Sequence, residues 1–319
     1  MKKFSTTLAV LSTAAALLAA PVLFADNNLT AQDTSSESAA KGYITRDYDF
    51  RGFDELCISG RFQVTLTKSP DYKVKVTIPA EAENLIAVRM EDGTLKIGWN
   101  KNLTERWHKN LDDMTFSAEI SMPVLRELEM SGASTFECDD KLTLENDDFS
   151  MDISGASRVK SLKINAKEID AEICGAAYCN LAGSFGKAEI EASGAANCDF
   201  NITSDYLEID VSGASSCDIE GKFGTVTADV SGASNTDISG SAEKLSADVS
   251  GASKLRAKGL EAKDVTVEAS GASHCTVYAT RSMTVEDATS ASSIKYKAPK
   301  NVTANIRSLS RSASIQRID

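Results

Sequence analysis

The phrase ADVSGAS stands at residues 228–234 and returns at 247–253, nineteen residues on. A chain that repeats at so short and fixed an interval is not free to fold as an ordinary globule. Each copy is one supersecondary unit that covers its apolar side only by stacking on the next. Aligned on the central glycine, the repeat runs through Gly132, Gly155, Gly175, Gly194, Gly213, Gly232, Gly251 and Gly271, with Ser290 and Ser312 in the matching place of two degenerate copies. Steps of 19 to 23 residues separate them.

Within each copy apolar residues fall at alternate positions. Four before the glycine come Leu128, Met151, Ala171, Ile190, Ile209, Ala228, Ala247 and Val267, and two before it come Met130, Ile153, Ile173, Ala192, Val211, Val230, Val249 and Ala269. A period of two means strand. Four after the glycine come Phe136, Val159, Cys179, Cys198, Cys217, Thr236, Leu255 and Cys275, which predicts a second strand beyond the phrase. Gly183, Gly221, Gly240 and Gly259 lie eight residues past the central glycine, where a turn should close the coil. Coils stacked at the strand spacing of about 4.8 Å bring equivalent residues into file. Glycine is expected where the backbone turns with positive φ or packs closely, and the serine hydroxyls can bond along the file. No proline occurs between Val124 and Ala298, as befits strands whose every N–H is needed by a neighbour. With 42% apolar but only 6% aromatic residues, the chain suits a narrow core of small side chains.

Four stretches follow. Residues 1–25, with Lys2 and Lys3 before a short apolar run, have the layout of a secretory signal peptide cleaved after Ala25; no cysteine stands at that point to carry a lipid. Residues 26–42 read as a flexible linker. Residues 43–125 lack the phrase but alternate in FQVTLT and YKVKVTI, and Asp92-Gly93 is a hairpin signal, so this section should cap or start the solenoid. Residues 126–319 form the repeat. Without the leader's two lysines, 32 basic residues face 46 acidic ones, which disfavours nucleic acid and anionic membranes as partners. No segment beyond the leader reads as a transmembrane helix.

The SGAS-type repeats, the upstream segment FDELCISGRFQVTLTKSPDYKVKVTIPAEAENLIAVRMEDGTLKI (53–97) and the ending IKYKAPKNVTANIRSLSRSASI (294–315) together resemble the head GIN domain family, labelled as autotransporter adhesins. The resemblance covers about residues 43–319. It implies an all-β fold, a right-handed parallel β-helix, at the bacterial envelope or surface, and no catalytic residues.

The sharpest chemical feature lies three residues before each glycine: Glu129, Asp152, Glu172, Glu191, Asp210, Asp229, Asp248 and Glu268, continued by Glu286 or Asp287. Each sits between two inward positions and should point outward. Like charges about 4.8 Å apart repel by roughly 0.9 kcal/mol per pair in bulk water, and about four times that at an effective dielectric of 20. Full solvation, raised pKa values or bound cations can relieve this. The run Glu172, Glu191, Asp210, Asp229, Asp248 and Glu268 is therefore a candidate for weak Ca²⁺ binding, although the calcium-binding nonapeptide G-G-x-G-x-D is absent and no defined metal site is expected.

Seven cysteines leave at least one unpaired in a monomer. Cys179, Cys198 and Cys217 fall on one inward file, either as buried thiols or within reach of a disulfide. Residues 99–110, WNKNLTERWHKN, hold both tryptophans; Trp99 and Trp107 are candidates for a contact patch on a glycan or protein, or for covering the open end of the core. Arg307, Arg311 and Arg317 should cap the last coil beside the acidic face.

Parallel β-helices also serve polysaccharide lyases and hydrolases, which need carboxylates in unequal environments. A file of equivalent carboxylates, with two histidines in the whole chain and no Ser-His, Cys-His or phosphate-loop motif, points away from an enzyme and from any cofactor. The expectation is an exported, non-catalytic solenoid that binds a surface ligand, with a purely structural spacer as the third class.

Overall fold

The computed structural model describes residues 42–100 and 114–319. The leader, nearly all of the linker and Trp107 lie outside them. Apart from one 3₁₀ turn at Ala80–Leu85, the regular structure among the described residues is strand.

The N-terminal section holds β1 (Tyr43–Tyr48), β2 (Glu55–Ile58), β3 (Phe62–Lys68), β4 (Lys73–Pro79), β5 (Ile86–Glu91), β6 (Thr94–Trp99) and β7 (Phe116–Met122). Five shorter strands follow: β8 (Glu127–Met130), β9 (Thr135–Thr143), β10 (Phe149–Ile153), β11 (Arg158–Asn165) and β12 (Glu168–Ile173). Then come β13 (Tyr178–Ala192), β14 (Asn197–Val211), β15 (Ser216–Val230), β16 (Asn235–Val249), β17 (Lys254–Ala269) and β18 (His274–Ala288), each running from one SGAS corner to the next. The chain closes with β19 (Ser293–Lys297), β20 (Ala304–Ile306) and β21 (Ser314–Ile318).

From β8 to β21 successive coils pair in parallel, building a β-solenoid of about ten turns with coils of about 19 residues. Register is one-to-one where the period is nineteen: Cys179 faces Cys198, which faces Cys217, and Ile190, Ile209, Ala228 and Ala247 follow one another down the stack. All of these are buried, with the alternating burial expected of strands facing a single core. Where a coil gains a residue, as between β16 and β17, the register slips at one point and recovers.

Each SGAS corner turns through a glycine with positive φ, +70° to +84° from Gly132 to Gly271, and Ser290 holds the same turn at +57°. The corners stack directly. Each alanine N–H donates to the carbonyl of the glycine one coil back, as in Ala214 N to Gly194 O at 2.7 Å. A Cβ on Gly213 would lie 2.5 Å from that same carbonyl oxygen, so glycine is required by both turn and contact. The last serine of the phrase is buried, and in three coils its hydroxyl does bond across the stack: Ser134 Oγ accepts Phe62 N–H at 3.2 Å, Ser234 Oγ donates to Val211 O at 3.1 Å and Ser253 Oγ to Val230 O at 2.8 Å.

The second corner differs from expectation. Gly183, Gly221, Gly240 and Gly259 lie inside continuous strands, and only Gly240 of the four has positive φ. The ladder runs unbroken through Gly183 and Gly221, with Ile202 of β14 in register with both, whereas between β17 and β18 the register shifts across Gly259.

The N-terminal section explains its own irregularity. β2 pairs in parallel with both β6 and β8, and β3 with both β7 and β9. The coil β2–β3 thus lies between β6–β7 and β8–β9, although β6–β7 comes after it in sequence. Gly60 belongs to the glycine file: its carbonyl accepts Ala133 N–H at 2.6 Å and faces Gly132. The detour through β4 to β7 hides it from a search at nineteen-residue intervals. β5 and β6 form the predicted Asp-Gly hairpin, with Asp92 at φ +50° and Gly93 at +90°. β4 runs antiparallel to β7, and β1 antiparallel to β4, closing this end. Here and in the first two coils of the repeat the core is aromatic, with Phe53, Phe62, Phe116, Phe136 and Phe149 fully buried, whereas alanine, valine, isoleucine and cysteine fill most of the later coils.

Candidate functional site

Two sheets flank the SGAS corner. The sheet before it carries the predicted carboxylates in one unbroken file: Glu129 faces Asp152, then Glu172, Glu191, Asp210, Asp229, Asp248, Glu268 and Asp287. Of the two residues offered for the last place, Asp287 takes it. Every member from Glu129 to Glu268 is exposed, because its neighbours on the strand point into the core.

The electrostatics follow from this geometry. Partial burial, reinforced by adjacent members of the file, pushes the carboxyls of Asp152, Glu191, Asp229 and Glu268 above their ordinary range. Burial alone does so for Asp210 and Asp248. Nearby ion pairs, such as Lys187 with Glu189 and Lys263 with Glu243, lie beside the file. Arg307 bonds Glu286 at 2.7 Å next to its last member. Among the described residues no group of three or more His, Cys, Asp or Glu side chains is arranged to hold a metal ion. The file sets carboxylates along a line, not around a centre.

Two further acidic files escaped the sequence reading. Asp170, Glu189 and Glu208 run parallel to the first, two residues away along each strand. On the other sheet Asp199, Asp218 and Asp237 face one another, with Asn180 donating to Asp199 at 3.3 Å at one end and Arg256 to Asp237 at 2.6 Å at the other. The signal for both was the column alignment itself, applied at other offsets from the glycine. Between the first two files and the stack's N-terminal end lies an open depression of about 410 Å³, lined by Arg126, Glu127, Asp148, Glu168, Asp170 and Glu189. Burial, with help from Glu129 and Glu55, pushes the carboxyl of Glu127 up.

Trp99 ends β6 at the corner of its coil and stands over Gly60 where another glycine would be. Its ring packs edge-on against Phe116, with centroids 5.3 Å apart, and is half-buried. All seven cysteines are free thiols, and six are buried. Burial pushes Cys57 and Cys275 up to about 12 and Cys138 to about 11.

Fold and site together define a β-solenoid that carries a carboxylate, Asp or Glu, at the equivalent position of successive coils. The chain belongs to the family described as "Putative auto-transporter adhesin, head GIN domain", whose model matches residues 52–201 and 189–299. In fold it is similar to a putative adhesin from Parabacteroides distasonis, at 17% identity and a TM-score of 0.50, over 88% of this chain and 98% of that one. A putative lipid binding protein from the same organism matches at 16% identity and a TM-score of 0.48, and a putative adhesin from Parabacteroides merdae at 15% and 0.46, each with the same coverage. A search among curated proteins returned no match. No helix among the described residues is long and apolar enough to cross a membrane.

Proposed function

We propose that the chain is exported and acts without catalysis, as an envelope or surface protein that contacts its ligand through the carboxylate-bearing sheet. One observation carries this reading: from Asp152 to Glu268 the carboxylates occupy equivalent positions on successive coils. Acid–base catalysis on a sugar needs two carboxyls whose environments push their pKa values apart, whereas here the carboxyls of Asp152, Glu191, Asp210, Asp229, Asp248 and Glu268 all move upward together. A row of like charges at a regular spacing suits an extended ligand of basic or cation-bridged character, held by many weak contacts at once. The family's adhesin description agrees with such a role, and the leader-like residues 1–25 supply the route out of the cytoplasm.

The test is binding of labelled protein to bacterial and host cells and to glycan and protein arrays, with the triple variant Asp210→Asn, Asp229→Asn, Asp248→Asn alongside. Loss of binding in the triple variant supports the reading. Undiminished binding, or turnover on a polysaccharide panel abolished by one Asp→Asn change, overturns it. Loss on Trp107→Ala alone would move the contact patch to the segment from Trp99 to Trp107. Cell fractionation and the mass of the mature N-terminus test export and cleavage after Ala25.

A further inference from the structure

The sheet after the corner changes the sign of its outer face partway along the stack. In the stretches that directly follow three successive corners, residues 197–201, 216–220 and 235–239 carry Asp199, Asp218, Glu220 and Asp237 and no basic residue. The next three coils reverse this: residues 254–258, 274–278 and 293–297 carry Lys254, Arg256, Lys258, Lys295 and Lys297 and no acidic residue. The boundary falls within one file. Asp199, Asp218 and Asp237 follow one another down it, Arg256 comes next and donates to Asp237 at 2.6 Å, and Thr276 and Lys295 continue it.

These cations share a face. Lys254, Arg256 and Lys258 alternate on β17 with the buried Leu255 and Ala257, and Lys295 and Lys297 alternate on β19 with the buried Ile294 and the partly buried Tyr296. Lys297 is held over the ring of Tyr278 on the coil behind, 4.3 Å from its centroid. Arg256 has its partner in Asp237, but among the described residues Lys254, Lys258 and Lys295 make no ion pair. The next carboxylate along β17, Glu261, comes only past Gly259 and stands in register with Tyr278. The result is a local positive field on a chain whose formal net charge is −12.

We propose that this patch is a second binding surface, separate from the carboxylate-bearing sheet, and that it takes a linear acidic polysaccharide lying along β17, β18 and β19. Charge complementarity selects an anion, and the surroundings select its charge density. Arg256 and Lys295 lie two coils apart in one file, about 9.6 Å at the strand spacing. Beyond Arg256 the same file turns acidic, so a polyanion laid along the stack would run onto Asp237 and Asp218. Duplex nucleic acid, with one charge per about 1.7 Å of its axis, or a charged bilayer would press phosphates against those acids as well as against the lysines. A sugar chain with widely spaced carboxylates that follows the strands meets the cations alone. Lysine ammonium groups are point charges without a fixed fork, so several weak pairs hold the chain rather than one bidentate clamp.

Binding of the full chain to labelled hyaluronan, which carries one carboxylate per disaccharide, is the measurement, with uncharged dextran, duplex DNA and phosphatidylglycerol vesicles alongside. At low salt the wild type should bind hyaluronan and not dextran, and binding should weaken as salt rises. The triple variant Lys254→Gln, Lys258→Gln, Lys295→Gln should bind about tenfold more weakly with a wild-type melting curve, and arginine at the same three positions should keep the binding. Asp218→Asn with Asp237→Asn, which removes the acidic border, should tighten it. The variant Asp210→Asn, Asp229→Asn, Asp248→Asn should bind hyaluronan at least as well as the wild type, so this site and the proposed carboxylate contact fail separately. Hyaluronan binding that is absent at low salt, that survives the glutamine variant, or that is exceeded by binding to DNA or vesicles would overturn the inference.

Discussion

Replacing Gly213 by alanine should destabilise the solenoid by about 3 kcal/mol, through two separate costs. The turn holds Gly213 at φ +71°, where an L side chain costs roughly 1–2 kcal/mol. The added Cβ would also stand 2.5 Å from Gly194 O and 2.9 Å from Gly194 N, both backbone atoms of the coil behind. Gly194 O already accepts Ala214 N–H at 2.7 Å, so relieving the overlap means lengthening a bond worth about 1 kcal/mol and parting the corners on either side. Overpacking of this kind costs about 1–3 kcal/mol where the backbone cannot move freely. Urea unfolding gives the total, and amide exchange gives the location: protection should fall in the coils around Gly194, Gly213 and Gly232 before those at either end. Ser290 supplies the converse, since it bears a side chain in the same turn at φ +57°; Ser290→Gly should stabilise by about 1 kcal/mol. A Gly213→Ala variant within about 0.5 kcal/mol of wild type, or a Ser290→Gly variant that is less stable, would refute the account of the corner.

The carboxylate file sets a pH dependence. Carboxyls whose folded pKa is raised are penalised in their charged form, and the penalty is relieved as pH falls through the window just above the ordinary values of 3.8 and 4.5. Glu119 and Asp264, held low by Lys73 and by Arg281, add stability that is lost only as pH falls further, through their depressed values. Melting temperature at low salt should therefore rise as pH is lowered from neutral towards the ordinary carboxylate range, before it falls; a steady decline on that approach counts against the file. Asp229→Asn should stabilise the protein at pH 7 by up to about 1 kcal/mol after solvent screening, and the gain should shrink in high salt. Millimolar Ca²⁺ should raise the melting temperature modestly over chelator at matched ionic strength, and identical curves would remove divalent binding from the account. The intact mass should be the same with and without reductant, and alkylation of the native protein should reach Cys174, the one half-exposed thiol, before any other; a mass gain on reduction would show a disulfide.

Much of this was legible in the sequence because a solenoid turns a period into geometry. The spacing of Gly194, Gly213, Gly232 and Gly251 sets the register of four coils, and alternation about each glycine assigns Ile209 and Val211 to the core and Asp210 to the outside, as found. The N-terminal order was not legible. Gly60 is in file with Gly132, but the chain first leaves to build β6 and β7 beneath the first coil, a choice of neighbour that no local period records. The second corner was misread because glycine usually marks a turn, whereas Gly183 and Gly221 stand in continuous strands whose Cβ positions would meet carbonyls of the coil behind. Trp99 shows the same limit from another side. Its polar surroundings in sequence suggest a contact residue, but its place above Gly60 and against Phe116 depends on a coil that only the fold assembles.

The stack itself can be measured with a ruler along one file. The alanine of each phrase is exposed at the corner, so a spin label carried on an unnatural residue at Ala176 can be paired with a second at Ala233, Ala252, Ala272 or Ala291. Dipolar distances should grow in equal steps of about 4.8 Å for each coil crossed. Distances that fail to lengthen from Ala233 to Ala291, or that grow in unequal steps, would contradict a chain wound into stacked coils.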